Sequence, residues 1–83
     1  MEHLDGNAAG GVLLEVFAHE MTTAMGTCAS CGTTAAMATA HVYMGGPGTV
    51  LRCAACGDVL MCIVDAGGDV HLDLSGVRRI VVR

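Results

Sequence analysis

The first hydrophobic repeat of the chain lies near the N-terminus and has the period of a helix. Its apolar members are Leu13, Leu14, Phe17 and Met21. Glu15 and His19 fall on another face, and this spacing is typical of an amphipathic helix. Upstream, Asp5 or Asn7 can cap the free N–H groups of its first turn. We therefore predict a helix over about residues 5–20.

Two glycines weaken this helix. Gly10 and Gly11 each disfavour a helix by about 1 kcal/mol relative to alanine. We therefore expect the helix to form because its apolar stripe packs against the rest of the chain. Such a stripe is more typical of core packing than of a surface that binds a partner.

After the helix, the pattern changes to the alternation and short apolar runs of strands. The segment 21–27 is β-prone and is expected to run extended into a cysteine turn, and residues 35–44 alternate in the manner of a strand. A turn rich in glycine and proline at 45–48 leads to the returning strand at 49–52. These segments predict an antiparallel hairpin.

Three further strands are expected downstream. Residues 59–64 form a continuous apolar run, which is typical of a strand buried on both faces. Residues 70–74 alternate between apolar and polar side chains, which predicts a strand with one solvent-exposed face. Residues 77–82 predict a short strand at a sheet edge. The expected fold class is α+β, with one helix and an antiparallel sheet.

Two cysteine turns carry the strongest chemical signal of the sequence. Each has the spacing Cys-x-x-Cys followed by glycine, a residue that readily adopts the positive φ of such a turn. One turn aims two sulfurs at one point, and two turns complete the tetrahedral set of thiolates that Zn²⁺ prefers. We therefore predict one structural zinc site, whose ligands are Cys28, Cys31, Cys53 and Cys56.

Other interpretations of these cysteines are weaker. Two disulfides would suit a secreted mini-protein, but the acidic N-terminus lacks the apolar run of a signal peptide. A thioredoxin-like redox motif occurs in a βαβ context, which the pattern does not show. Iron binds the same four thiolates in rubredoxin-type sites, but those sites are surrounded by aromatic residues and this chain has only Phe17 and Tyr43. Zinc is preferred, with iron as the alternative metal.

Composition and charge narrow the class of protein. At 83 residues the chain is expected to be one domain, of a size at which a metal commonly supplements a small core. The formal net charge is −4, with no lysine, and the bases are Arg52, Arg78, Arg79 and Arg83. Nucleic-acid-binding ribbons use basic faces because phosphate contacts dominate affinity, so nucleic acid is an unlikely partner. No stretch approaches the roughly 20 apolar residues of a membrane span, and free thiols without an export signal favour the cytoplasm.

The remaining reactive side chains form no recognisable catalytic motif. The histidines are His3, His19, His41 and His71, and none lies at ligand spacing from a cysteine. No Ser–His–Asp order, phosphate loop or His-Glu-x-x-His motif occurs. Cys62 lies within an apolar run, where a thiol commonly packs as a small buried hydrophobe. We expect no enzymatic activity.

With its two cysteine turns the chain resembles the zinc-ribbon proteins. As a whole it resembles a family of short proteins of unknown function from high-GC bacteria, through its opening residues 4–8, the cysteine turns and the hairpin end at 70–76. The resemblance implies zinc and a bacterial cytoplasm but no activity. The expected architecture is a single domain, 1–83, in which the helix at about 5–20 docks on a zinc ribbon at about 21–83.

Three functional hypotheses follow from these features. The first is a cytoplasmic interaction, adaptor or regulatory module with a protein partner, because four thiolates close the metal shell and leave no open position for a substrate. The second is a nucleic-acid-binding ribbon that uses the C-terminal arginines. The third is a thiol-redox or metal-transfer protein, which requires a labile metal and reactive thiols.

Overall fold

The computed structural model describes residues 3–17, 20–45 and 48–82. Its elements, in chain order, are strand β1 (Leu4–Asp5), a 3₁₀ turn (Gly6–Ala9), helix α1 (Gly10–Phe17), β2 (Met25–Cys28), β3 (Thr34–Ala36), a second 3₁₀ turn (Met37–Thr39), β4 (His41–Gly45), β5 (Gly48–Arg52), β6 (Val59–Ala66), β7 (Asp69–Asp73) and β8 (Val77–Val81). One short helix and antiparallel strands confirm the α+β class. The expected turn at 45–48 includes two residues outside the described ranges, and His19, expected on a helix face away from the apolar stripe, also lies outside them.

The strands form two antiparallel sheets, and each sheet contributes one cysteine turn. The larger sheet has the order β1-β4-β5-β6-β7, and the smaller has the order β3-β2-β8. The first cysteine turn follows β2 in the smaller sheet, whereas the second connects β5 to β6 in the larger one. Strand β8 lies at a sheet edge, as the sequence predicts, and places Val77 opposite Cys28.

The helix is shorter than the predicted range of about 5–20. Leu4 pairs with Val42 of β4, and the next residues form a 3₁₀ turn that Asp5 caps by accepting a hydrogen bond from the Asn7 N–H at 3.1 Å. Gly6 packs so closely on the second 3₁₀ turn that an added Cβ would lie 1.7 Å from the Met37 carbonyl oxygen. These contacts hold the entry segment out of helical conformation, so that α1 begins at Gly10.

The predicted apolar stripe faces the core only in part. Leu13 is fully buried and Phe17 is half-buried, but Leu14 is 48% exposed. Met21 is buried beyond α1, in a turn closed by a hydrogen bond from the Ala24 N–H to the Met21 carbonyl at 3.1 Å. The expectation that 21–27 is extended is therefore wrong for its first four residues, since β2 begins only at Met25.

The strand predicted over 35–44 is interrupted by the second 3₁₀ turn. The Met37 side chain is buried in the core, and its N–H donates to the Ala24 carbonyl at 2.9 Å. This bond turns the chain between β3 and β4, which belong to different sheets. Alternation within a run of alanine and threonine does not reveal such a corner, because small side chains fit both conformations.

The hydrophobic core packs on one face of the five-stranded sheet, but it does not extend as far as the last strand, β7. Met61 and Ile63 of β6 are buried, whereas Cys62 and Val64 on the opposite face are half-buried. The prediction that this run is buried on both faces is therefore wrong. Strand β7 also differs from the prediction of one solvent-exposed face. All five of its residues are exposed, so both of its faces meet solvent.

Candidate metal centre

The first cysteine turn is closed by two backbone hydrogen bonds. The Cys28 N–H donates to the Thr33 carbonyl at 2.9 Å, and the Gly32 N–H donates to the Cys28 carbonyl at 3.0 Å. Together they fold the segment after β2 into a tight loop.

The second turn repeats this structure. The Cys53 N–H donates to the Asp58 carbonyl and the Gly57 N–H donates to the Cys53 carbonyl, both at 2.8 Å. Gly32 and Gly57 have φ angles of 78° and 84°, in the left-handed region that glycine adopts with little strain. The sequence expectation for these two glycines is confirmed.

The four sulfur atoms converge at one point between the sheets. All of them lie within 4.8 Å of one another, and the Cys28–Cys56 and Cys31–Cys53 sulfur distances are 3.8 and 3.7 Å. A tetrahedron with metal–sulfur bonds of about 2.3 Å has edges of about 3.8 Å. A disulfide would need a sulfur distance of about 2.05 Å. The arrangement can therefore hold one metal ion, and all four predicted ligands are in it.

The donor set is half buried and half exposed. Cys28 and Cys53, the first cysteine of each turn, are 2% and 6% exposed, whereas Cys31 and Cys56 are exposed. The first cysteines adjoin strands and the second ones lie where the turns project. The site therefore lies at the surface, where a chelator or a thiol reagent can reach it.

The two exposed thiols differ in acidity. Hydrogen bonds with the side chain and then the backbone of Thr33 lower the pKa of Cys31 to about 6. The Thr33 Oγ1 atom lies 3.2 Å from the Cys31 sulfur. At neutral pH the Cys31 sulfur is therefore a thiolate, ready to bind a cation.

At the other exposed position, several effects oppose one another. A backbone hydrogen bond from Asp58 lowers the pKa of Cys56, but desolvation and the neighbouring cysteine sulfurs outweigh it and raise the pKa to about 12. Adding negative charge beside an existing thiolate is unfavourable. A metal ion must therefore displace the proton of Cys56, and its positive charge offsets this repulsion.

Side chains next to the cysteines tie the two turns together. The Ser30 hydroxyl of the first turn donates a hydrogen bond to the Asp58 carboxylate of the second. Arg52 donates to the Gly57 carbonyl at 3.0 Å, and its guanidinium lies 5.8 Å from the ring centroid of Tyr43. Sequence reasoning did not assign these roles. Their positions within or beside the cysteine motifs were the available signal.

Of the C-terminal arginines, the two that the structure describes do not share one face of their strand. Arg78 and Arg79 are adjacent on β8, so their side chains leave opposite faces of the strand. Arg78 lies beside the first cysteine turn, about 4.0 Å from the position of a Cβ on Gly32. Arg83 lies outside the described residues.

The other candidate ligands stand apart from the sulfurs. Cys62 of β6 is half-buried, less than the sequence predicts, and faces Val50 and Asp73 on the neighbouring strands. The His3 and His41 rings stack with centroids 3.7 Å apart. No histidine of the described residues joins the four-sulfur group.

A family model matches the chain over residues 1–83. The chain belongs to the DUF6510 family. DUF6510 is described as a family of unknown function, which confirms the resemblance drawn from the sequence and brings no activity with it. No curated protein and no solved structure matches the chain. Within the described residues, no helix is both long and apolar enough to cross a membrane.

Proposed function

We propose that this DUF6510 chain is a zinc-stabilised interaction module of the cytoplasm, without catalytic activity, that binds a protein along strand β7. The sulfur geometry supports zinc, because four thiolates at these separations match its preferred tetrahedral shell. A shell closed by four protein ligands leaves no position for a water or a substrate, so the metal has a structural role.

Zinc joins the two sheets in this proposal. Each sheet supplies one cysteine turn, and the core between them is built mainly from alanine, methionine and a few branched residues. Structural zinc contributes on the order of 10–16 kcal/mol in small peptides. A contribution of that size exceeds what so small a core supplies.

Elemental analysis with a thiol titration tests the metal. The untagged chain should contain one zinc per molecule, and a chelator should release four reactive thiols together with loss of the folded circular dichroism signal. Iron in place of zinc would correct the metal and keep the structural role. An intact fold without metal, or with stoichiometric disulfides, would overturn this part of the proposal.

The observation that carries the interaction role is the exposed edge strand β7. All five of its residues are exposed, and Val70 and Leu72 expose 53% and 43% of their surface. An uncovered edge presents free backbone N–H and C=O groups to which another strand can bind. Apolar side chains beside such an edge add affinity when they are covered.

Site-specific cross-linking in cells tests the interaction role. A photoreactive amino acid at position 72 should give cross-linked protein products, and the same label at Leu14, which is exposed on α1, serves as the matched control. A purified partner should bind the metal-loaded chain and should lose that binding with Leu72→Asp. No cross-linked protein at position 72 would contradict the proposal.

Thiol-redox or metal-transfer activity is the second candidate, and one observation favours it. Cys31 is exposed, and hydrogen bonds with Thr33 lower its pKa to about 6. Low-pKa, accessible thiolates are the reactive ones. Rapid exchange of bound metal with a competing chelator and early alkylation of Cys31 would favour this function, whereas slow exchange would favour the structural role.

A further inference from the structure

The hairpin turn before β7 determines which residues of this strand direct their backbone N–H and C=O groups toward its free edge. A two-residue glycine turn with φ angles of 63° and 87° joins β6 to β7, and such a turn is closed by a hydrogen bond between its flanking residues, Ala66 and Asp69. Hydrogen-bonded and non-bonded pairs alternate along an antiparallel ladder. Val70 and Leu72 therefore direct their N–H and C=O groups away from β6, toward the free edge.

Apolar side chains border this edge. Leu72 lies opposite the buried Ile63 and so shares the core-facing side of the sheet. Val70 lies on the same side, by the alternation of the strand, and the apolar Leu74 follows directly after the end of β7. All three are exposed, so the apolar face of the sheet continues past the covered core to its edge.

The other described edges are less suited to pairing. β1 has two residues and β3 has three, and β8 carries Arg78 and Arg79. Short edges and charged side chains, lysine above all, are common defences against added strands. β7 has five residues with no lysine, arginine or proline, its charged residues are Asp69 and Asp73, and its register with β6 is unbroken.

We propose that β7 pairs antiparallel with β7 of a second copy of the chain, about a two-fold axis through Leu72. The two five-stranded sheets then form one continuous sheet of ten strands. Leu72 faces the partner's Leu72, Val70 faces the partner's Leu74, and His71 faces the partner's Asp73. This inference rests on the proposed function, since it names the partner of the same strand.

The charges favour this register over the one centred on His71. The backbone phase also allows an axis through His71, but that axis would place Asp69 opposite the partner's Asp73, and like charges directly opposite each other destabilise a sheet. The axis through Leu72 instead places an imidazole opposite a carboxylate twice, once on each side of the axis. Each of these pairs occurs twice because of the two-fold symmetry. The symmetry therefore doubles the penalty for the axis through His71 and the gain for the axis through Leu72.

Hydrogen bonds from Ser75 hold the Asp73 carboxylate in place for a contact with the partner's His71. The Ser75 hydroxyl and N–H donate to its Oδ1 at 2.6 and 3.0 Å, and these bonds lower the pKa of Asp73. The group therefore stays anionic, and its second oxygen is available to accept a hydrogen bond from the partner's His71.

Sedimentation analysis of the metal-loaded chain, residues 1–83, is the first test. We expect a reversible dimer with twice the 8.4 kDa mass of one chain. A monomer at every concentration up to the solubility limit would overturn the inference.

Charge exchange tests the register. His71→Glu places a carboxylate opposite the partner's Asp73 and should weaken dimerisation by about 2- to 30-fold, the effect of two cross-strand pairs. Adding Asp73→Lys to that variant should restore it. If Asp73→Lys alone strengthens the dimer, the axis passes through His71 and the proposed register is wrong.

A matched control separates pairing from folding. Leu14→Asp changes an exposed apolar residue on α1 and should leave the dimer unchanged, whereas Leu72→Asp should abolish it. Metal content and circular dichroism verify that each variant is folded.

The cross-link at position 72 then distinguishes the two proposals. A product of twice the chain mass supports the second copy. A product with a different protein, from a chain that is monomeric when pure, overturns the second copy and leaves the interaction role standing. The absence of any product overturns both.

Discussion

At the scale of single residues, the two cysteines of each turn have different tasks. Cys28 and Cys53 are buried, so each contributes to the core as well as to the four-sulfur group. Cys31 and Cys56 are exposed, so each contributes to the four-sulfur group without adding to the core. Removing a buried ligand therefore removes packing and coordination together.

We expect Cys28→Ser to lose stoichiometric metal and the folded state, because it leaves three thiolates and places a hydroxyl in an apolar site. Cys62→Ala is the matched control. It leaves all four ligands in place and should lower the free energy of unfolding by about 1 kcal/mol. Metal analysis and urea unfolding measure both effects. Full metal content in Cys28→Ser would contradict the assignment.

Metal affinity should depend on pH in a defined way. Because the pKa of Cys31 is about 6 in the folded chain, its sulfur binds metal above pH 6 without releasing a proton. Below that value the metal must displace one further proton, so affinity should fall more steeply with decreasing pH. Competition titrations between pH 5 and pH 8 should locate the change of slope near the pKa. Thr33→Val should move it upward, because the variant lacks the hydroxyl beside the sulfur.

Gly57→Ala should destabilise the second turn by about 1–2 kcal/mol, through conformation alone. Gly57 has a φ of 84°, yet no atom lies within 4 Å of the position of an added Cβ. Gly45→Ala is the control, since its surroundings are equally open and its φ is not in the left-handed region. Urea unfolding should show the larger loss for Gly57→Ala, and equal losses would contradict the conformational explanation.

At the scale of elements, the short helix can be strengthened without new contacts. Gly11 lies in α1, and an added Cβ would meet nothing within 4 Å. Gly11→Ala should therefore raise the free energy of unfolding by about 0.5–1 kcal/mol. Gly76→Ala should do the opposite, because its Cβ would lie 1.7 Å from the Val59 carbonyl oxygen. Thermal unfolding of the two variants measures the contrast, and a loss of stability in Gly11→Ala would contradict it.

The cysteine site was predictable because its geometry is local. Each turn is set within about six residues by the Cys-x-x-Cys spacing and the glycine that follows, so the sequence predicts all four members. The residues around them were not predictable to the same degree. Ser30 meets Asp58, and Arg52 meets Gly57 and Tyr43, only because folding brings the second turn against the first and the sheet against both.

The elements that were wrongly predicted depend on distant contacts. The helix range failed because Gly6 packs on Met37, and the strand over 35–44 failed because Met37 bonds to Ala24. The period of apolar residues reports which face is buried, but it cannot report which of two sheets a strand joins. The exposure of β7 has the same origin, since alternation in 70–74 does not show where the core ends.

At the scale of the whole molecule, the four-cysteine site lies where two sheets of unequal strength meet. The larger sheet has hairpins between consecutive strands, whereas β2 pairs with the distant β8 and depends on the first cysteine turn, whose Ala29 N–H donates to the Gly76 carbonyl at 2.9 Å. Chelation should therefore disorder β2 and β8 first. Hydrogen exchange measured by mass spectrometry should show faster exchange there than in β5 and β6. Uniform acceleration across both sheets would contradict this order.

The pairing of Cys28 with Val77 also has a consequence for biosynthesis. The residues between them number about 50, and a ribosome adding about 5–20 residues per second needs several seconds to make them. Throughout that interval the first cysteine turn lacks its strand partner, and for about the first half of it the second pair of thiols, Cys53 and Cys56, has not been made. The nascent chain therefore carries unprotected sulfurs, and a metal can be held by all four of them only after Cys56 is made, before β8 completes the smaller sheet. Rapid production of the chain in zinc-poor or oxidising medium should therefore yield aggregated chains with non-native disulfides, and not folded chains that only lack metal.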